Sequence, residues 1–572
     1  MNRNVESHFA LNPTNIDIRR STFDRSHSLK TSFNVGDIVP FFVDEVLPGD
    51  TFNVDTSKVV RLQTLLTPVM DNIYLDTYFF FVPNRLTWSH WKQFNGENTE
   101  SAWIPQTEYE IPQITAPASG GWSVGTIADY LGVPTGVPNL SVSALPFRAY
   151  ALVMNEWFRD ENLSDPLVVP VDDATVAGVN TGTFVTDVCK GGLPYKAAKY
   201  HDYFTSCLPS PQKGPDVTIP VAEAGNYAVV GNGKALPLWN GTKIGTMGSL
   251  LNNTPQFFAA GSVGVGSPVS STTSDLSSPV HGHLGLATQA QLGDDLSNSG
   301  LVAVASGNAA AATINQLRMA FQIQKLYEKD ARGGSRYIEI LKSHFGVTSP
   351  DARLQRPEYL GGNRIPININ QVVQQSGTAA GETAQGTVTG MSVTTDTHSD
   401  FTKSFTEHGF VIGVMVARYD HTYQQGLERF WSRKDRFDYY WPVFANIGEQ
   451  AVKNKEIYAQ GPAQKDSAGN VIDDQVFGYQ EAWADYRYKP SRVTGEMRSQ
   501  YAQSLDVWHL ADDYTALPML SDSWIREDKT NVDRVLAVTS AVSNQLFADI
   551  YIKNRTTRPM PMYSIPGLID HH

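Results

Sequence analysis

Two segments of this chain, Asn72–Val82 (NIYLDTYFFFV) and His408–Arg418 (HGFVIGVMVAR), are apolar along almost their whole length. The first alternates at its start and then becomes continuously apolar, the pattern of a strand buried on both faces. The second reads as a strong buried strand too. Further runs flank them. Asp37–Val46 (DIVPFFVDEV) carries a Pro, which favours a sheet edge or a strand start. Pro48-Gly49-Asp50 marks a turn, and Thr51–Leu66 follows it. Leu546–Ile552 supplies one more strand near the other end. Strands near both ends, with long excursions between them, predict a mainly β chain: a β-sandwich whose connections carry extra structure.

The excursions differ in character. Residues 83–140 are rich in Pro, Gly and Trp. Leu145–Asn162 predicts a helix, with Leu145, Ala149, Leu152, Val153 and Trp157 on one face and Arg148, Glu156, Arg159 and Asp160 on the other side. Thr313–Lys342 predicts two helices broken at Gly333-Gly334, with an apolar stripe beginning at Leu317, Ala320 and Phe321. Gln371–Thr397 is polar, Gly/Thr-rich and reads as a loop. Residues 215–312 form a separate block, with 14 Gly and only four aromatics. Apolar islands at Ala228–Val230 and Leu301–Val304 argue that this block is a folded surface insertion. The expected organisation is an N-terminal arm over 1–35, a core from 36–214 and 313–572, and the insertion 215–312.

Composition narrows the function. The net charge is −13, so any contact with nucleic acid has to be local rather than spread over the surface. Charged residues are only 18%, which suits a surface covered by partners. Two cysteines, Cys189 and Cys207, make no disulfide scaffold and read as reduced, buried thiols. The first residues lack the apolar core of a signal peptide. The longest strongly apolar run, Tyr78–Val82, falls far short of the ~20 residues a membrane helix needs.

Enzyme signatures are missing. Gly231–Lys234 lacks P-loop spacing, Gly261–Gly266 lacks a preceding strand, and no HExxH or G-x-S-x-G occurs. Adjacent acids at Asp172-Asp173, Asp294-Asp295, Asp473-Asp474 and Asp512-Asp513 read as solvated loop residues, not as a glycosidase pair. His201-Asp202 and His571-His572 have no third ligand, so neither a metal nor a cofactor is expected. Trp88, Trp91, Trp103 and Trp122 serve either core and interface packing or a sugar platform. Basic residues interleaved with aromatics point elsewhere. Lys553, Arg555 and Arg558 lie between Tyr551 and Tyr563, and Arg19, Arg20, Arg25 and Lys30 surround Phe23. Such groups suit the phosphates and bases of a single strand.

Four strings carry a resemblance: Lys199–Pro220 (KYHDYFTSCLPSPQKGPDVTIP), Phe321–Gly346 (FQIQKLYEKDARGGSRYIEILKSHFG), Arg356–Gln374 (RPEYLGGNRIPININQVVQ) and Ile565–His571 (IPGLIDH). With Asn15, Asp17 and Arg19–Phe23, they resemble the major capsid proteins of microviruses, in the gokushovirus-like branch. The resemblance implies an eight-stranded jelly roll with large insertions. It also implies a T=1 icosahedral virion of identical subunits, assembled in the bacterial cytoplasm around circular single-stranded DNA. Internal scaffolding and DNA pilot proteins are the implied partners. In that branch a long insertion forms a protrusion at each threefold axis. Here 215–312 is the candidate, with a host-surface receptor as its possible partner. A different class stays open on the Trp cluster and acid pairs: a monomeric carbohydrate-binding or carbohydrate-active β-sandwich.

Overall fold

Which strands are buried on one face and which on two sets the architecture. The structure, a computed structural model, describes residues 19–97, 107–215, 217, 314–334, 336–347, 355–378, 380–381 and 383–563, with short strand segments between 228 and 304. The chain divides into two units, Met1–Gly214 with Tyr327–His572, and Pro215–Leu326. The larger unit holds strands β1 (Ser21–Asp24), β2 (His27–Phe33), β3 (Val39–Val46), β4 (Thr51–Leu62), β5 (Ile73–Pro83), β6 (Glu358–Pro366), β7 (Thr394–Ser404), β8 (Gly409–Tyr419) and β9 (Leu546–Arg558). They form two antiparallel sheets. In the first, β1 and β2 both pair with β9, which pairs with β4, which pairs with β7. The second runs β6–β5–β8–β3.

Between the sheets lies one core. Phe33, Phe52, Val54, Phe401, Ile550 and Ile552 of the first sheet meet Val39, Phe79, Phe81, Val411 and Met415 of the second. The second sheet is covered on its other face as well. There Phe80, Val82, Ile412, Val414 and Val416 pack under helix α1 (Leu145–Val153) and its neighbouring loops. The continuous apolar run of β5 follows from this double burial, and each fully buried Phe contributes about 1.5–3 kcal/mol over an exposed one. The first sheet is covered on one face only. β9 accordingly alternates buried and exposed from Leu546 to Thr556.

Polar bonds close both sides of the sandwich. On one side Arg25 holds Asp44 of β3 through both guanidinium nitrogens (2.5 and 2.7 Å). Arg558 reaches Asp50 (3.1 Å) and the Glu45 carbonyl (2.7 Å). On the other side Lys403 of β7 meets Glu358 of β6 (2.6 Å), and Asn363 donates to Asp396 (3.0 Å). β6 approaches β7 so closely that a Cβ on Gly361 would stand 2.2 Å from the Asp400 carbonyl oxygen. One on Gly362 would stand 2.0 Å from that of Thr77. Only glycine fits there.

Several expectations change. Residues 21–33, read as part of a free arm, are instead the edge strands β1 and β2. The segment 371–397, read as a loop, contributes the hairpin Ile369–Val373 with Val388–Ser392 and the start of β7. β9 runs on past Ile552 to Arg558, because Asn554 and Thr556 are buried despite being polar. Arg148 lies buried in α1, donating to the carbonyls of Thr87 (3.1 Å) and Asp172 (2.8 Å), because this helix is enclosed all round. Pro40 does sit on an edge strand, and Cys189 and Cys207 are buried free thiols. Helices α2 (Ile314–Gly333) and α3 (Tyr337–Phe345) part at Gly334, which takes φ +89°. Leu317 and Phe321 of the expected stripe stand exposed. In the smaller unit, the islands Ala228–Gly231 and Leu301–Val304 pair with each other, and Leu238–Trp239 pairs with Ile244–Gly245 and Gly285–Leu286.

Two buried charge clusters fasten the loops to this frame. Asp76 of β5 is almost fully buried. It accepts from Arg364 of β6 (2.7 and 3.3 Å), Arg418 of β8 (2.6 Å), Tyr200 (2.8 Å) and Tyr78 (3.1 Å). Burial pushes this carboxyl up, but the two arginines and Tyr200 outweigh it and hold it below the usual value. Both guanidinium groups also stand over the Tyr200 ring, at 4.4 and 4.3 Å. Farther along, His421 lies between Asp512 (3.0 Å) and Glu527 (3.1 Å). Burial would lower the imidazole, yet the two carboxylates raise it to about 10.

Asp76→Ala strands two guanidinium groups and should cost about 3 kcal/mol in subunit unfolding, since removing one partner of a buried ion pair is strongly destabilising. An unchanged urea midpoint would contradict that. The His421 contribution should be present in full below pH 6.5 and fade as pH rises toward 10, because the folded-state value is the higher one. Thermal midpoints of the native chain should fall across that window. Those of His421→Gln should start lower and stay flat by comparison.

Candidate nucleic-acid interface

The uncovered face of the first sheet is where the predicted basic residues can be judged, because strand parity decides which way each points. On β9 the odd positions Tyr551, Lys553 and Arg555 face solvent. Lys553 lies opposite Asp55 of β4, with 3.5 Å between the charges. Arg555 lies opposite Asn53 of β4 and Asp24 of β1. Lys30 of β2 lies opposite Asp549, at 3.6 Å. Tyr551 stands between Ser28 and Ser57. Asp24 is held below its ordinary value, first by its bonds from Ser26 and then by Arg555 and Lys553.

Around these charges the face is a field of hydroxyls. Thr22 pairs with Thr557 (2.8 Å), Ser57 with Thr397 (3.2 Å), and Thr51 with Ser404 (2.8 Å). Ser399 donates to Asp55 (2.7 Å). Exposed ion pairs of this kind are worth about 0–1 kcal/mol, so a cation here can exchange its carboxylate for a phosphate at little cost.

The structure brings together Lys30, Lys553 and Arg555 and separates the others from them. Arg25 and Arg558 turn to the sandwich side and are engaged by Asp44 and Asp50. Arg19 and Arg20 are exposed at the start of the described chain, and Arg20 donates to the Gly49 carbonyl. The IPGLIDH segment lies outside the described residues.

Among the described residues, the tryptophans of the sugar platform are spent on packing. Trp88 and Trp122 are fully buried; Trp88 donates to Asp173 (2.6 Å) and Trp122 stacks on Phe147. Trp91 packs against Trp88, and Trp103 lies outside the described residues. The described acid pairs are structural as well, and two are less solvated than their sequence suggests. Asp473 is buried because it caps the Gln460 and Gly461 amides (2.8 Å each). Asp512 is buried because His421 and Lys199 neutralise it. Asp294-Asp295 lies outside the described residues. Asp202 is occupied in capping a turn and accepting from Tyr423 (2.6 Å).

A two-sheet frame with long interlocked loops, whose described acids and tryptophans are engaged in packing and ion pairs, is the architecture of a structural protein. Comparison makes this specific. The family model described as capsid protein (F protein) matches residues 13–568. The chain is 43% identical to capsid protein VP1 of Chlamydia phage 1, over 99% of this chain and 98% of that protein. It is 43% identical to capsid protein VP1 of Bdellovibrio phage phiMH2K, again over 99% and 98%. Capsid protein VP1 of Spiroplasma virus 4 is 42% identical, over 96% of each. The chain belongs to the F-protein capsid family of the Microviridae, in its gokushovirus-like branch. It is the major capsid protein of a small single-stranded DNA phage and a component of the virion.

Proposed function

We propose that this chain is the repeating subunit of a T=1 icosahedral shell, folded as an eight-stranded jelly roll and closed around a circular single-stranded DNA genome. The strand order carries the reading. With β1 and β2 counted as one interrupted strand, β1/β2–β9–β4–β7 faces β6–β5–β8–β3. Two Greek keys wound around one sandwich produce this order, and capsid domains use it. Identical subunits around five- and threefold axes need heterologous contacts, and the long loops supply surfaces for them without opening a sheet edge.

In this reading the solvent face of the first sheet looks inward on the genome. Lys30, Lys553 and Arg555 hold phosphates there, Tyr551 offers a ring to a base, and Arg19 and Arg20 extend the contact. Arg25 and Arg558 serve the fold. The insertion 215–312 forms the threefold protrusion and meets a host-surface receptor. The internal scaffolding and DNA pilot proteins of the branch are the other partners.

Lys30, Lys553 and Arg555 changed together to Gln should leave shells that assemble but carry less DNA, scored by nuclease-protected DNA per particle. Full packaging would remove this face from the genome contact. Deletion of 225–305 should leave assembly intact and abolish or redirect attachment to host cells. A deletion that blocks assembly would make the insertion part of the frame.

A further inference from the structure

The loops 427–433 and 485–498 are far apart in sequence but meet in space. The hairpin Glu449–Lys453 with Val476–Glu481 closes between them, pairing Glu449 with Glu481. Together they line a groove of about 400 Å³. We propose that this groove binds single-stranded nucleic acid, with bases on the rings of Trp431, Tyr486 and Tyr488 and phosphates on Lys489, Arg492 and Arg498. The proposal rests on the reading of the shell as a DNA container and adds a site separate from the sheet face.

Ring exposure is the first observation. Trp431 is 68% exposed, Tyr488 54% and Tyr486 52%, all on the walls of one concavity. Cations already use the ring faces: Arg433 stands 4.3 Å over Tyr486, and Lys489 stands 5.6 Å over Phe430. A positively charged channel whose walls alternate cations with open rings is the ordinary means of holding a single strand without reading its sequence.

Charge is the second. Arg429 is neutralised by Glu456 (2.9 Å) and Arg433 by Asp485. Lys489 (3.0 Å) and Arg492 (2.7 Å) share the single carboxylate of Glu428. Arg498 is exposed and donates to the Gln424 carbonyl (2.6 Å), which carries no charge. Five cations therefore line the groove against three acids, leaving two positive charges over, on a chain whose total is −13. The two positive charges left over complement a polyanion, and that excess is what favours a nucleic-acid strand over a second copy of this acidic chain.

The test uses the purified full-length protein and a fluorescein-labelled oligo-dT, with anisotropy read at several salt concentrations. Trp431→Ala with Arg498→Gln should weaken binding by about tenfold or more. It should also make the slope of log K against log salt shallower by about one. Trp431→Phe should keep the affinity. Lys489→Gln with Arg492→Gln should flatten the slope by about two while leaving Trp431, Tyr486 and Tyr488 in place. Affinity and slope unchanged in both double variants would overturn the groove as a site. Intact oligonucleotide binding with lost particle assembly would also overturn it, and would make the groove a contact between copies. No binding by the unsubstituted protein would instead remove the DNA reading beneath the proposal.

Discussion

A carboxylate sits in the middle of β5 where the strand is otherwise sealed by phenylalanines. Asp76 is nearly inaccessible, and an unpaired charge there would cost several kcal/mol. Its partners come from β6, β8 and the segment that carries Tyr200, so no one stretch of chain can satisfy it alone. The same segment continues the work. Lys199 lies over Trp524 and reaches Asp512, Tyr203 donates to Glu456, and Phe204 and Cys207 enter a satellite core with Tyr423, Val452 and Phe477. A single buried acid thus fixes the register between the sandwich and the loops that surround it. The loops are long, but their positions are not free.

Sheet asymmetry divides the subunit's surface into a sealed side and an open one. One sheet is sealed under α1 and can only be structural. The other is left with a face of hydroxyls and weakly paired charges. Elements that close the sandwich draw on strong, short ion pairs at its sides. Those on the open face use exposed pairs that exchange readily. Charge strength is therefore graded by location, and that grading separates arginines that hold the fold from cations that can serve a partner.

Legibility followed apolar periodicity. β5 and β8 were plain because double burial demands unbroken apolar runs, and the α2–α3 break was plain because Gly334 needs a left-handed conformation. β1 and β2 were not, since STFD and HSLKTSF carry few apolar residues and become strands only by pairing with β9. The end of β9 was hidden for the same reason: Asn554 and Thr556 are buried but polar. Three clustered cations, Lys553, Arg555 and Arg558, read as one patch in sequence, but strand parity sends Arg558 to the opposite side. The groove left only a weak trace, aromatic and basic residues mixed over 428–441 and 483–498. A hairpin registers those two stretches, and no local pattern announces that.

β9 occupies an interior place in its sheet, with β2 on one side and β4 on the other, yet among the described strands it is the last to leave the ribosome. Until then the early strands flank an empty slot, and the core between the sheets lacks Leu546, Ala548, Ile550 and Ile552 from one wall. Such non-local closure is slow and comes late in folding. Synthesis itself thereby acts as a timer. Chains truncated before Leu546 lack a strand that the sandwich requires, so only copies synthesised through β9 are fit to enter a lattice where one defective member would spoil the closure of all.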